Sequence, residues 1–205
     1  MGRIRRRFLT TELCLYVGFL LADARCLYGL GTALKYAGIL LCVAYAFSNA
    51  PHAVFAALFL TAAADLFLLV LNCWLALGVT LFIAVQALYA IHIARDTRRT
   101  YEIRAALVLA FWIVLWCLGI CTSLNMLAGI YFPQLLCNAA LSRKTDKCLA
   151  LGLALFIACD ICVGLWNLPA VPEPFHGFAG TGMWVFYFPS QVLIALTTVE
   201  NPEKS

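Results

Sequence analysis

The chain reads as a succession of apolar runs, each close to the length of a membrane-crossing helix, separated by short polar punctuation; ALFLTAAADLFLLVL and LALGLALFIACDICVGLW are two of them. A backbone in hydrocarbon has no water to bond, so it satisfies its N–H and C=O groups within a helix or around a closed barrel. These runs lack the alternation of apolar and polar residues that a barrel strand requires, which leaves helices. A soluble core is excluded as well, because 64% of the 205 residues are hydrophobic, 12% are charged and the mean hydropathy is +0.94. The fold class is therefore all-α: a polytopic membrane helix bundle, with residues 1–205 as a single transmembrane domain.

Polar punctuation places helices at residues 8–27, 33–48, 52–71, 74–94, 104–121, 124–141, 148–167 and 181–198. That makes about eight spans, or seven if the second, sixteen residues long, falls short of the ~20 residues a crossing needs. With the amino terminus in the cytoplasm, twelve of the fourteen basic residues fall on the inner side: Arg3, Arg5, Arg6, Arg7, Arg95, Arg98, Arg99, Arg104, Arg143, Lys144, Lys147 and Lys204. Only Arg25 and Lys35 lie outside, and the longest outer loop, NLPAVPEPFHGFAG, has no Lys or Arg. This is the positive-inside asymmetry, and it predicts cytoplasmic termini for a multi-pass protein of the cell membrane. The same topology accounts for the net charge of +4, so no basic patch is left over for nucleic acid.

The start, MGRIRRRFLTTELCLYVGFLLADA, imitates a secretory signal with its basic end, apolar stretch and small residues at Ala22 and Ala24. An uncleaved first helix is the better reading, because removal would invert the charge asymmetry. Of the ten cysteines, Cys14, Cys42, Cys117, Cys121, Cys137, Cys159 and Cys162 lie within spans and read as small apolar fillers. Cys159 and Cys162 form a lone CxxC around Asp160, too little for a metal or redox site. His52, His92 and His176 are too dispersed to converge on a metal, which argues against a zinc hydrolase of the alkaline ceramidase type. No GxSxG, HExxH or phosphate loop occurs, and neither a cofactor nor a metal is expected.

Chemistry instead points to Asp65 and Asp160, each in the middle of an apolar span. An acid at the bilayer centre costs roughly 2.5–3.5 kcal/mol on insertion scales, so two of them mark a shared polar site. Counted from the outer helix ends, Asp65, Asp160, Tyr131 and Tyr187 all lie about seven residues, roughly 10 Å, deep. Thr61, Asp65 and Asn72 share one helix face, and Gln86 neighbours Tyr89 on the next helix. Each Tyr taken alone is more simply a bridge between helices. The two acids together lack two equally deep bases, and Lys35 is the one nearby cation able either to hold an Asp ionised or to bind a ligand phosphate.

At these positions a family resemblance emerges. Asp65, Leu68, Gly78, Phe82, Gln86 and Tyr89 resemble the pattern D-x2-L-x9-G-x3-F-x3-H-x2-Y of the lysoplasmalogenase, or YhhN-type, membrane proteins. Lys35 resembles that family's Lys opening the second helix, Asp160 its Asp in the seventh, and Tyr187 with Gln191 its Tyr-x3-Gln in the last. Three positions depart from the pattern: Gln86 stands for His, Ala64 for the Gly before the first Asp, and Cys159 for the Ser before the second. The resemblance implies hydrolysis of the vinyl-ether bond of lysoplasmalogens, giving a fatty aldehyde and a glycerophospho-alcohol. It casts Asp65 and Asp160 as the catalytic pair, one a protonated general acid and the other a carboxylate that stabilises the cation and activates water. Lys35, Gln86, Tyr89, Tyr131, Tyr187 and Gln191 then bind or position a lysophospholipid or similar amphiphile among the membrane lipids.

Two other readings use the same residues. A relative with Gln in place of His can bind lysolipid without cleaving it. Alternatively, a weak 4+4 repeat, about 1–96 and 97–199, sets an Asp in the third helix of each half before an aromatic-x3-Gln in the next: Asp65 with Phe82 and Gln86, then Asp160 with Tyr187 and Gln191. Parallel repeats occur in transporters, where such acids relay protons or cations, although Pro133 and Pro189 are the only candidate helix breaks.

Overall fold

A computed structural model describes residues 2–93, 97–167 and 172–197, without the side chains of Glu173, Pro174 and His176. The described residues form eight α-helices and no strand: α1 (Arg3–Ala24), α2 (Tyr28–Asn49), α3 (His52–Asp65), α4 (Leu75–Ile93), α5 (Arg98–Cys117), α6 (Ser123–Ser142), α7 (Lys147–Asn167) and α8 (Glu173–Ala195). A π-helical turn, Leu66–Val70, prolongs α3. Six of these, α2 to α7 with the π turn counted into α3, are long and apolar enough to cross a membrane. The flanking α1 and α8 are as long, at 22 and 23 residues, but carry polar starts.

Several helices begin earlier than their hydropathy predicts, and local chemistry gives the reason. α5 starts at Arg98 rather than residue 104 because Thr97 and Thr100 cap it reciprocally. α8 starts at Glu173 rather than 181, behind a Pro172 N-cap, so most of the expected outer loop is helix. α2 starts at Tyr28 rather than 33 and has 22 residues, which removes the supposed short span. A tight turn through Cys26, at φ 56°, joins it directly to α1. Lys35 consequently lies two turns inside α2 instead of opening it.

Neighbouring helices close a ring: α3 packs on α4, α4 on α6, α6 on α7, α7 on α8, and α8 returns to α2 and α3. Across the ring, the backbones of α4 and α8 do not approach one another, nor do those of α3 and α7. α1 lies outside against α2 and α8, and α5 outside against α6. The exposed Leu109, Ile113, Val114 and Trp116 of α5 suit a lipid-facing helix, since acyl tails are as apolar as leucine. Inside the ring, Leu58, Val85, Leu135, Leu153, Phe156 and Ile194 build the apolar core around the polar residues.

The end of α3 sets the position of the first acid. Asp65 is the last α-helical residue, and beyond it the Leu71 N–H bonds to Leu66 O, five residues back. The wider turn re-aims Leu68 onto Gly78 of α4, where a Cβ would overlap the leucine side chain. Asn72, with φ 45°, lies beyond the helix and is exposed, so it does not share a face with Thr61 and Asp65 as its spacing suggests. A Gly78→Val substitution forces this contact apart and is expected to cost about 1–3 kcal/mol, the usual range for overpacking. A lowered thermal midpoint in detergent checks it, and an unchanged midpoint would show that the α3–α4 approach has slack.

Candidate active site

Both intramembrane acids are held by tyrosines from neighbouring helices. The Tyr187 hydroxyl of α8 donates to Asp65 Oδ2 at 2.6 Å, and the Tyr131 hydroxyl of α6 donates to Asp160 Oδ2 at 2.7 Å. Short O–H···O⁻ distances of this kind are typical when the acceptor is a carboxylate. Four helices thus bring their polar groups together, although Tyr187 lies deeper along its helix than the count from residue 181 expects, since α8 starts at Glu173. The two pairs are joined through Phe156, one turn from Asp160 on α7, whose ring lies 6.4 Å from the Tyr131 ring and 5.3 Å from the Tyr187 ring. Phe82 closes the cluster at 5.7 Å from Tyr131 and 5.6 Å from Phe156. Cys159 lies within electrostatic reach of both carboxyls, so the residue preceding Asp160 faces the same interior.

Lys35 serves neither Asp65 nor Asp160. Its Nζ sits 2.6 Å from Asp23 Oδ2, and also 4.6 Å from the Trp184 ring centre and 5.3 Å from that of Phe19. Asp23 reaches across from α1 because Gly31 has no side chain; a Cβ there would overlap Asp23 Oδ1. Trp184 stacks edge-on to Tyr187 at 5.7 Å, which links this cation to the Asp65 pair through one aromatic contact. Sequence reasoning saw Asp23 only within a signal-like triplet and missed this partnership.

A further group of polar residues lies one to two turns along the same helices. Asn138 Nδ2 donates to both the backbone O and Oε1 of Gln86, at 2.8 and 2.9 Å. Asn138 Oδ1 accepts from Arg104 Nη2 at 2.7 Å, and Gln134 Oε1 accepts from Arg104 Nη1 at 2.8 Å. Arg104, placed by sequence at a cytoplasmic helix end, is in fact buried between α5 and α6. The signal was present in α6, where Tyr131, Gln134 and Asn138 recur at helical spacing on one face. Tyr89 lies beside Thr61, one turn from Asp65, and both are fully buried. Gln191, one turn from Tyr187, donates to Ser190 Oγ at 3.2 Å.

Sequence reasoning also overlooked a further acid, which is buried. Glu12 of α1 accepts from the Cys42 thiol at 3.3 Å, on the α1–α2 side of the bundle. Among the described residues no group of three His, Cys, Asp or Glu side chains could hold a metal ion. His52 opens α3 and His92 ends α4, while the His176 side chain lies outside the described residues.

The Lys35–Asp23 pair is testable apart from any activity. Lys35→Met is expected to destabilise by about 1–3 kcal/mol, the range for a hydrogen bond to a charged group, with the partial exposure of Asp23 favouring the low end. Asp23→Asn/Lys35→Met should then be less destabilised than the sum of the single variants in a thermal double-mutant cycle. Strict additivity would show that the two side chains do not interact.

No curated protein and no solved structure matches the chain. A family model, YhhN family, matches residues 30–198. That span holds Lys35, Asp65, Gln86, Tyr89, Tyr131, Asp160, Tyr187 and Gln191, and leaves Glu12 and Asp23 outside it. With a match over most of its length, gathering on facing helices the residues that carry the pattern, this helical membrane protein belongs to the YhhN family.

Proposed function

We propose that the chain is a lysoplasmalogenase-like hydrolase of the cell membrane that cleaves the vinyl-ether bond of lysoplasmalogens. The observation that carries this reading is the pair of tyrosine-held carboxyls, Asp65–Tyr187 and Asp160–Tyr131, grouped around Phe156. Vinyl-ether hydrolysis needs a proton on the outer alkenyl carbon, then stabilisation of the resulting oxocarbenium ion. One carboxyl delivers the proton. The other stays ionised, stabilises the cation and takes a proton from water as its oxygen bonds to the carbon next to the ether. The hemiacetal so formed breaks its C–O bond to the glycerol, releasing aldehyde and alcohol, with its hydroxyl proton passing to the departing oxygen.

The tyrosines supply what two acids in an apolar core require. Each donates to Oδ2 and leaves Oδ1 without a hydrogen bond from the described residues, so the carboxyl keeps a fixed direction and one oxygen to work with. The aromatic faces of Phe82 and Phe156 give the alkenyl chain an apolar wall. Lys35, near Trp184, is the cation for the lipid phosphate, with Asp23 holding it in the resting state. Gln86 and Gln191 lie further along α4 and α8 and position water and substrate.

Asp65→Asn and Asp160→Asn are each expected to lower aldehyde release from a lysoplasmalogen by at least ~100-fold in folded protein, as the loss of an acid or base group does. Tyr131→Phe and Tyr187→Phe should keep the carboxyls and lose about tenfold in kcat, the equivalent of one charge-assisted hydrogen bond. An ester lysophospholipid is the control substrate. Full activity in either Asn variant removes that residue from the mechanism. Folded wild-type protein that binds lysolipid yet cleaves neither lipid would favour the non-hydrolytic, lysolipid-binding reading, which Gln86 in place of His supports.

A further inference from the structure

Gln86 is the departure that falls on an anchor of the D-x2-L-x9-G-x3-F-x3-H-x2-Y pattern, and its surroundings decide which end of its amide faces the interior. An arginine can only donate hydrogen bonds. Arg104 Nη2 therefore requires an oxygen at 2.7 Å, which fixes that atom of Asn138 as Oδ1. The other end of the Asn138 amide must then be the NH2, and it can only donate to Gln86, whose Oε1 lies 2.9 Å away. One donor-only group thereby sets the direction of the whole chain, so amide reversal at either residue would set two donors or two acceptors against each other. Asn138 also donates to the Gln86 backbone O at 2.8 Å, tying the orientation to α4 itself.

What remains is the Gln86 NH2, buried and, among the described residues, without a hydrogen-bond partner, in a residue that is 1% exposed. A buried N–H left unpaired costs about 1–3 kcal/mol, so the arrangement makes physical sense when an oxygen is bound there. Other oxygens are available to complete such a site: among the described residues Gln191 Oε1 and the Tyr89 and Thr61 hydroxyls are buried without a well-formed hydrogen bond, with Tyr89 one turn from Gln86 on α4 and beside Thr61. Thr61 stands one turn from Asp65 and Gln191 one turn from Tyr187, so this second polar level adjoins the first along two different helices.

We propose that Arg104 and Asn138 are positioning residues that pin Gln86 as a donor, and that its NH2, with Thr61, Tyr89 and Gln191, holds an internal water beneath the carboxyls. A water needs two to four polar partners, and these four residues provide both donors and acceptors. Gln86 so held exchanges no proton. It fixes the water's oxygen by a donated bond and leaves proton transfer to the aspartates, which is how a glutamine can occupy a position where the pattern has histidine. Identifying this water as the hydrolytic one rests on the hydrolase reading; the pinned amide and the bound water do not.

The chain contains only three glutamines, Gln86, Gln134 and Gln191, so protein labelled with 15N-glutamine shows three side-chain NH2 pairs. Gln86→Glu identifies the Gln86 pair by its loss. In the wild type that pair is expected to show magnetisation transfer from water. Asn138→Asp keeps an acceptor for Arg104 but replaces the donor to Gln86 by a carboxylate oxygen, so the Gln86 amide should turn round, shift its resonances and lose the water contact. The Gln134 pair, still bonded to Arg104, should stay in place and report an intact fold. In the hydrolysis assay Asn138→Asp and Gln86→Glu are each expected to lower kcat at least tenfold with KM within twofold. A Gln86 pair unmoved by Asn138→Asp, or one without water contact in the wild type, overturns the proposal. The expected spectra from protein that hydrolyses nothing would sustain the pinned amide and sink the hydrolase reading instead.

Discussion

The structure depends on how an apolar helix ring accommodates polar side chains that cannot reach water. A carboxyl in such surroundings must be given a hydrogen bond by another helix, because its own helix has committed its N–H groups to the backbone ladder. Asp65 and Asp160 solve this in the same way, each accepting a tyrosine hydroxyl from the next helix around the ring. The consequence is mutual: the acids fix how α3 sits against α8 and α7 against α6, and the helices fix how far apart the acids stand. A site made this way is as rigid as the bundle, since moving either carboxyl means moving a helix. That rigidity is what the proposed two-acid reaction on a flexible lipid chain would ask of the protein.

The family-like pattern becomes physically readable once the contacts are known. Asp65 ends the α-helical part of α3, Leu68 stands on the π turn that follows, and Gly78 is the surface of α4 that Leu68 needs for close approach. Phe82 packs on Tyr131 and Phe156, Gln86 on Asn138, and Tyr89 beside Thr61. Leu68 and Gly78 thus set the approach of α3 to α4, while Phe82, Gln86 and Tyr89 each meet a residue of the polar groups or their wall. The spacing between them is the spacing of one face of α4, preceded by the offset that a π turn introduces.

Much of this was legible in the residues. Apolar run lengths yielded the helix count, and the four polar residues Asp65, Asp160, Tyr131 and Tyr187 do meet, although not through equal depths: α8 starts at Glu173, which puts Tyr187 about twice as far from its helix end as the count assumes. What depth cannot show is azimuth between helices. Hence the sequence leaves Lys35 open to hold a carboxyl of the ring or to bind a ligand phosphate, and the structure removes the first option by turning it toward α1 and Asp23. The positive-inside count puts Arg104 at a cytoplasmic end because hydropathy penalises an arginine within a span, whereas two amide side chains on α6 make its burial acceptable. Helix starts shifted for a related reason: hydropathy marks where lipid begins, while caps such as Thr97 and Pro172 mark where the helix begins.

Arg104 also shows why a buried charge can matter without touching the chemistry. A guanidinium inside a helix bundle pays a large desolvation cost, and amide oxygens from Gln134 and Asn138 offset part of it. Those amides are thereby oriented, and the orientation passes on to Gln86. Direction is the property a donor-only group can transmit through a chain of amides, where a group able both to donate and to accept would leave two arrangements of similar energy. A histidine at position 86 would itself be such a group, with one nitrogen donating and one accepting in its neutral form. Against a pinned Asn138 donor, it would have to offer that donor its unprotonated nitrogen, turning its N–H inward as Gln86 turns its NH2. The same neighbours would therefore present a donor to the interior with either residue, which makes glutamine a substitution this ring can accept without rebuilding α5 or α6.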